Sequence, residues 1–375
     1  DVIRASATNP MGKDEMSSWW KSCEDPFQAL STCKEIINAT DSGDPTNYMS
    51  SLPVHMDGSC NGLQHYAALG RDTVGGRAVN LLDTDLPQDV YSGVMVEVIR
   101  RVSEEAAITR EEYDDMSKDD KAALKRNKAA KLMDGLIDRG VVKRTVMTSV
   151  YGVTYIGARK QIQEKIEEKL EEQGHDIDEL NAEIHAAAAY LATVTMDVMN
   201  DLFTGARETM NWLTTCARII TSHNHPVAWI SPVGIPIVQP YRRSKSHTIV
   251  TLLQSMILTS KSDNLPIHKQ RQVTAFPPNY VHSLDSCHML LTALEMEKRG
   301  LTFSAVHDSF WTHACDVDEM NMVLRETFVE LYDKPLLEEL KRTWELRYPG
   351  VDFPDLPERG DLDLEKVKNA TYFFQ

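Results

Sequence analysis

Two short strand-like runs, each leading to an aspartate, stand near opposite ends of a chain whose remaining periodicity is largely helical. They restrict what the chain can fold into more than any other feature. The first, Leu52 to Met56, is mostly apolar and ends at Asp57-Gly58, a pair suited to a sharp turn. From Asn61 onward, Leu63, Tyr66, Ala67 and Leu69 recur at helical spacing, so Asp57 is expected where a buried strand meets a helix. The second, Phe303 to His313, reads as strand, tight turn, strand, with His307-Asp308 at the bend. A single Asp before Gly is ordinarily a turn former or a helix cap. Two carboxylates held at strand tips are a candidate site for a pair of divalent cations, which need hard oxygen ligands that set the ions about 3.5–4 Å apart.

With 375 residues the chain is long enough for two domains or one multi-lobed domain. No run approaches the roughly 18 apolar residues of a membrane span, so no membrane association is expected. The first residue is Asp and no leader is visible, which reads as a fragment or a processed form. Cys23, Cys33, Cys60, Cys216, Cys287 and Cys315 show neither paired metal spacing nor the density of a disulfide scaffold, so reduced thiols are expected. The formal charge of -16 argues at first against a nucleic-acid partner. Locally the balance reverses. Residues 121–144 hold Lys121, Lys125, Arg126, Lys128, Lys131, Arg139, Lys143 and Arg144 against Asp134 and Asp138, and 239–271 is also basic. Either run alone reads as a solvated face; two of them between the candidate aspartates favour an anionic ligand.

In chain order, residues 1–18 look polar and irregular, and Pro26 to Asn38 helical with Phe27, Leu30, Cys33 and Ile37 on one side. Gly75-Gly76 reads as a turn into an apolar run, without a phosphate-loop pattern. Pro87 is expected to open a helix from Gln88 to Ala107 that carries Tyr91. A helix over 121–138 follows the acidic 111–120, Arg139-Gly140 interrupts it, and 141–151 forms a second helix. Arg139, Lys143 and Tyr151 fall within about 120° of one another if one helix covers all three, and Lys143 and Arg144 then face a shared anion. The ordinary alternative is a basic helix face in water. Residues 161–172 read as a charged, exposed helix with Glu/Lys pairs at i, i+4 spacing, and 183–220 as mostly helical, with Met196, Met199, Met210 and Trp212 as core. Residues 229–238 read as strand, turn, strand, and 239–269 as an extended basic hairpin. Pro277-Pro278 should stop the chain before a helix near Val281 that carries His282, Asp285 and His288. Asp318 to Leu340 reads as helical again, and the tail Tyr372-Phe373-Phe374 as docked into the body.

These residues carry a family resemblance. Asp57-Gly58-Ser59-Cys60-Asn61-Gly62-Leu63-Gln64-His65-Tyr66 resembles the first catalytic motif of the single-subunit, bacteriophage-type RNA polymerases. Arg139-Gly140-Val141-Val142-Lys143-Arg144-Thr145-Val146-Met147-Thr148-Ser149-Val150-Tyr151-Gly152 resembles their fingers motif, and Val306-His307-Asp308-Ser309-Phe310 their final catalytic motif, in the family's order. Further similarity lies in Gly75 to Tyr91, Trp229 to Tyr241, Pro278 to Asp285 and the aromatic tail, so the resemblance covers nearly the whole chain. The wording of Asn61 to Asp72 and of Tyr151 to Tyr155 is most similar to mitochondrial RNA polymerases, particularly fungal-type ones.

The resemblance implies an α+β, mostly helical fold: a right-hand polymerase with palm (1–85 and 282–375), fingers (86–281) and a small antiparallel sheet carrying the catalytic carboxylates. The family's upstream thumb and amino-terminal domain have no counterpart in the chain. The implied activity is RNA synthesis from ribonucleoside triphosphates on a DNA template, with two Mg²⁺ ions, in the mitochondrial matrix, alongside transcription initiation factors. Asp57 and Asp308 would be the metal ligands, with the Gly58 carbonyl a third. Lys143 would contact the incoming phosphates and protonate the leaving pyrophosphate, assisted by Arg139 and Arg144. Tyr151, supported by Gly152, would close the nucleotide pocket and favour ribose. Tyr91 and His282 would line that pocket, and His307 would support Asp308. Residues 239–267 would read promoter DNA, with Arg242 and Arg243 as candidates. A related DNA polymerase would share the carboxylates and the Lys/Tyr helix, but the His-Asp-Ser-Phe and Asp-Gly-Ser-Cys wording favours the RNA enzyme. A non-catalytic relative would be expected to lose Asp57, Asp308 or Lys143, and all three are present.

Overall fold

Where an Asp or Thr precedes a run of helical periodicity, a helix begins. Asp72 accepts from the Gly75 amide at 2.9 Å, Asp138 from Val141 at 2.9 Å and Thr154 from Gly157 at 3.2 Å, each satisfying an orphan N–H of a first turn. The computed structural model describes residues 1–107, 120–133, 135–150, 152–251, 253–260 and 264–374. Its first half runs α1 (Val2–Thr8), α2 (Glu15–Ser18), α3 (Pro26–Asp41), β1 (Pro53–Asp57), α4 (Asn61–Gly70), α5 (Thr73–Ala78), α6 (Val90–Ala107), α7 (Asp120–Met133), α8 (Arg139–Ser149) and α9 (Tyr155–Glu172). Then come α10 (Ile177–Leu202), α11 (Thr204–Ser222), β2 (Ala228–Ile230), β3 (Pro236–Val238), β4 (Lys245–Val250), β5 (Ser255–Ser260), α12 (Lys269–Lys298), β6 (Ser304–Val306), β7 (Ser309–His313), α13 (Val317–Asp333) and α14 (Leu336–Arg347). Among the described residues no helix is long and apolar enough to cross a membrane.

Contacts divide the chain into two units, Asp1–Asp57 with Ala293–Val323, and Gly58–Thr292 with Leu324 onward. In the first, β1, β7 and β6 form an antiparallel sheet in that order, and Phe303 stacks on Phe310 at 5.7 Å between ring centroids. Residues 1–18, read as irregular, contain α1 and α2, and Asp14 caps the latter through the Ser17 amide. In α3, Cys33 is buried as expected, but Phe27 is 79% exposed, its ring tilted against Trp20 at 5.7 Å.

The second unit is built around α4, all ten residues of which are buried. Its boundaries differ from expectation where a local bond overrides propensity. Gly75-Gly76 lies inside α5 because the Asp72 cap holds the first turn. The helix expected from Gln88 starts at Val90, where Asp89 rather than Pro87 caps it. Arg139-Gly140 opens α8 rather than interrupting a helix, because Asp138 is extended and caps it. Residues 318–340 split at Pro335 into α13 and α14.

The largest correction is α12, which runs straight through Pro277 and Pro278. A proline inside a helix costs about 3 kcal/mol. Phe276, Tyr280 and Leu284 share one face and are all buried, at roughly 1.5–3 kcal/mol for each large apolar side chain. Phe276 meets Trp229 at 5.3 Å and Trp344 at 5.5 Å, and Trp344 Nε1 donates to the Ala228 carbonyl at 2.8 Å. That aromatic cluster exists only once β2 and α14 are in place, and it offsets the lost hydrogen bonds.

As expected, the aromatic tail is docked: Phe373 and Phe374 are buried, and Arg325 donates to the Ala370 carbonyl. The segment before it is threaded tightly under α4, where Gly360 N donates to Gly70 O at 2.8 Å and Leu362 N to Arg71 O at 2.9 Å. A Cβ on Gly360 would collide with the Arg71 carbonyl oxygen. Gly360→Ala is therefore expected to destabilise the protein by about 1–3 kcal/mol, the cost of overpacking. Chemical denaturation of the two proteins measures this, and equal midpoints would mean that the segment yields freely.

Candidate active site

Strand β1 has a neighbour on one side only, since β7 is the central strand. The expectation of a buried strand before Asp57 fails for that reason: β1 is exposed except at Met56, and Asp57 itself is exposed. The register nevertheless brings the two aspartates to one end of the sheet. Asp57 pairs with Ser309, and Val306 pairs with Ser309 from the other side. His307 and Asp308 are thus the two residues of a tight turn, and Asp308 immediately precedes the cross-strand partner of Asp57. Paired residues in an antiparallel ladder lie about 4.5–5.5 Å apart at Cα. His307 takes φ 54°, as the first position of such a turn demands, although a non-glycine residue there costs roughly 1–2 kcal/mol. Ser309 Oγ donates a short hydrogen bond to Asp57 Oδ1.

This donor set can be tested against a metal. Among the described residues no three His, Cys, Asp or Glu side chains gather as a metal cluster. Asp57 is exposed and Asp308 half-buried. Two hard carboxylates open to solvent fit a dication that keeps several waters and takes further ligands from phosphate, and they do not fit a closed four-ligand site.

The second unit begins at Gly58, which forms an antiparallel bridge with Phe374. Asn80 Nδ2 donates to Ser59 Oγ at 2.7 Å, and Ser59 Oγ to the Tyr372 carbonyl at 3.3 Å, so the tail and the Asn80 loop hold the turn before α4. On α8, Arg139 and Lys143 are one turn apart and both lie over the ring of Tyr91, with Arg139 Cζ at 5.2 Å and Lys143 Nζ at 5.8 Å from its centroid. Burial, with the Cys60 thiol beside it, pushes the Tyr91 hydroxyl well above its ordinary pKa and keeps it neutral. Arg144, one step further round the helix, instead pairs with Glu164 of α9 at 3.0 Å. Lys143 and Arg144 therefore do not face a common point.

The helix ends in Schellman bonds, Gly152 N to Ser149 O and Val153 N to Thr148 O, both at 3.0 Å, with Gly152 at φ 72°. Tyr151 lies outside the described residues. His282 is exposed on α12 and lines an open groove with Val238, Gln239 and Asn279. Strands β4 and β5 form the expected hairpin, exposed along β4. Arg242 and Arg243 sit at its base: Arg242 Nη1 donates to Leu265 O at 2.9 Å, and Arg243 N to Pro266 O at 2.8 Å.

Sequence reasoning missed the buried network beneath α4. Asn61 Nδ2 donates to Asp285 Oδ1 at 2.6 Å, His65 Nε2 stands 3.7 Å from the same oxygen, and His65 Nδ1 is 2.5 Å from the Tyr332 hydroxyl. Burial raises the Asp285 pKa, but His65 and Asn61 outweigh it and the net shift is downward. The available signal was the i, i+3 spacing of Asp285 and His288, which puts both on one face of α12. Asp89 was missed as well; its signal was an Asx residue three positions before Ser92 at a helix start.

The chain matches the family model described as DNA-dependent RNA polymerase over residues 1–354. It is 48% identical over 369 residues to the mitochondrial DNA-directed RNA polymerase 1B of Nicotiana tabacum, covering 98% of this chain and 35% of that protein. It is 48% identical over 375 residues to the chloroplastic polymerase 3 of Nicotiana sylvestris, covering 100% and 36%. It is 47% identical over 377 residues to the chloroplastic/mitochondrial polymerase 2 of Arabidopsis thaliana, covering 100% and 35%. The chain thus spans about a third of the length of the curated relatives it matches.

The buried network has a pH signature. Burial and the neighbouring His65 push the His288 pKa down to about 4. The unfolded chain takes up that proton near pH 6.5, so stability falls as pH drops from about 6.5 to 4, by roughly 3 kcal/mol. His288→Phe should flatten this acid loss in denaturant titrations at pH 7, 5.5 and 4; an unchanged slope would show that His288 is not its source.

Proposed function

The chain belongs to the single-subunit, bacteriophage-type family of DNA-dependent RNA polymerases, and from that premise we propose that it carries the catalytic centre for template-directed transfer of ribonucleotides to an RNA 3′ end. The observation that carries this reading is the strand register that sets Asp57 opposite Ser309, next to Asp308. In this reading residues 1–85 and 282–375 act as palm and 86–281 as fingers.

Asp57, Asp308 and the Gly58 carbonyl would hold two Mg²⁺ ions. When bound, such ions lower the pKa of an attacking hydroxyl and stabilise a pyrophosphate leaving group. The rest falls to the chain's own side chains. Lys143 and Arg139 neutralise the triphosphate, where charge develops during transfer. In this reading Lys143 Nζ gives its proton to the departing pyrophosphate. The neutral Tyr91 ring, under both cations, fixes their approach without competing for the phosphates. Arg144 reaches the triphosphate only by leaving Glu164. Tyr151 selects ribose, and His282 meets the sugar side of the new pair. His307 supports Asp308 through the turn it forms. The β4–β5 hairpin, within residues 239–267, reads promoter DNA, with Arg242 and Arg243 at its base. The naming of the relatives supports an organellar setting, for which we propose the mitochondrion, with transcription initiation factors as partners.

The test is extension of a labelled RNA primer annealed to a DNA template by the whole protein with Mg²⁺. Asp57→Asn and Asp308→Asn are each expected to slow nucleotide addition by about 10²–10³-fold or more, with scaffold binding retained. Near-normal addition by either variant would sink the metal assignment. A preference for deoxyribonucleotides in the parent protein would move the reading to a DNA polymerase. Tyr151→Phe is expected to weaken the preference for ribonucleotides about tenfold or more, the scale of losing a hydrogen bond that discriminates a hydroxyl; an unaltered ratio would remove that role.

A further inference from the structure

Asp89 carries none of the roles assigned so far, yet its carboxylate joins the first turn of α6 to Arg139. Its Oδ1 accepts from the Tyr91 amide at 3.0 Å and its Oδ2 from Ser92 Oγ at 2.7 Å, which caps α6. The same carboxylate takes Arg139, Nε to Oδ2 at 2.7 Å and Nη2 to Oδ1 at 3.4 Å. Burial raises the Asp89 pKa, but Arg139 and Ser92 outweigh it, so the group stays ionised.

Both partners are largely exposed, with side-chain accessibilities of 37% for Asp89 and 47% for Arg139. An ion pair so exposed contributes little to stability. What it sets is orientation. A guanidinium is a planar fork of five N–H donors, and Asp89 engages the Nε and Nη2 edge. The plane is thereby held over the Tyr91 ring beside Lys143. Nη1 has no hydrogen bond to another described residue and is left for an anion.

We propose that Asp89 is a positioning residue for the incoming nucleotide: it holds Arg139 across Tyr91 so that Arg139 Nη1 and Lys143 Nζ meet the triphosphate together. This rests on the reading that Arg139 binds the triphosphate. Two effects of removing the carboxylate oppose each other. Loss of a negative charge favours a polyanion, but in solvent that gain is screened. Loss of orientation costs a charge-assisted hydrogen bond to phosphate, the larger effect.

Asp89→Asn separates the two duties of the side chain. Asparagine keeps an oxygen for the Tyr91 amide and is a good helix cap, but its uncharged amide no longer attracts and orients the guanidinium. The experiment is single-nucleotide addition on a preassembled RNA–DNA scaffold by the whole protein, with kcat and KM for the incoming ribonucleotide. Asp89→Asn is expected to raise KM about tenfold with kcat within about twofold and the thermal midpoint unchanged. Arg139→Ala is expected to raise KM at least as much, and Asp89→Asn added to it should change nothing further. A Asp89→Asn variant with unaltered KM overturns the inference. So does an effect that persists undiminished in the Arg139→Ala background, because Asp89 would then act only as a helix cap. If Arg139→Ala leaves KM unchanged in an active enzyme, the triphosphate role of Arg139 fails, and the inference fails with it.

Discussion

A buried carboxylate governs how the centre of the second unit is assembled. Asp285 stays ionised there chiefly because His65 and Asn61 face it, and both belong to α4. The attraction is strong in a low-dielectric interior and leaves little freedom in how α4 meets α12, since an unpaired buried charge would cost several kcal/mol. An adjoining side of α4 is fixed by Gln64, three residues on from Asn61, whose Nε2 donates to the Val79 and Phe373 carbonyls, both at 3.0 Å. One helix thus ties together the Asn80 loop, the aromatic tail and α12. The turn carrying Gly58 and Ser59 inherits its geometry from that helix.

The candidate metal ligands rest on a different principle. They are not buried, and the sheet that carries them is small. Precision comes from the ladder: a register slip by one residue would turn Asp57 to the other face. The two-residue turn at His307-Asp308 leaves the second carboxylate no slack, and the left-handed backbone at His307 is the cost of that tightness. A rigid pair of carboxylates, one exposed and one half-buried, suits a cation that must exchange ligands with a passing substrate. A fully buried pair would pay a large desolvation penalty and would tend to take up a proton.

The cationic face of α8 shows how one helix divides its charges. Arg139 and Lys143 fall on the side of Tyr91, while Arg144, about 100° further round, is drawn to Glu164 on α9. Sequence spacing predicts the first pairing. It does not predict the second, which depends on where a helix more than ten residues later comes to lie.

Much of the protein was legible in the residues themselves. Local signals carry far when they are self-sufficient: apolar residues recurring at helical spacing, a two-residue turn between β-branched and aromatic runs, an apolar tail that cannot remain in water. These gave α4, the β2–β3 and β4–β5 hairpins, the Asp308 turn and the docked terminus, and the motif wording gave the family; of α9 they gave only the latter part, and its Ile162, Ile166 and Leu170 are buried where the charges suggested an exposed helix. What sequence could not decide was set by partners distant in the chain. The prolines of α12 are tolerated because Trp229 and Trp344 bury the adjoining aromatic face, and Gly75-Gly76 is helical because Asp72 caps it. Strand β1 is exposed because only one edge of it is paired. Asp285 is an ion, and Asp89 a clamp, because of groups 224 and 50 residues away. Periodicity and propensity act over a few residues, whereas the energy of a buried charge or an aromatic cluster is defined only when the tertiary structure brings its members together.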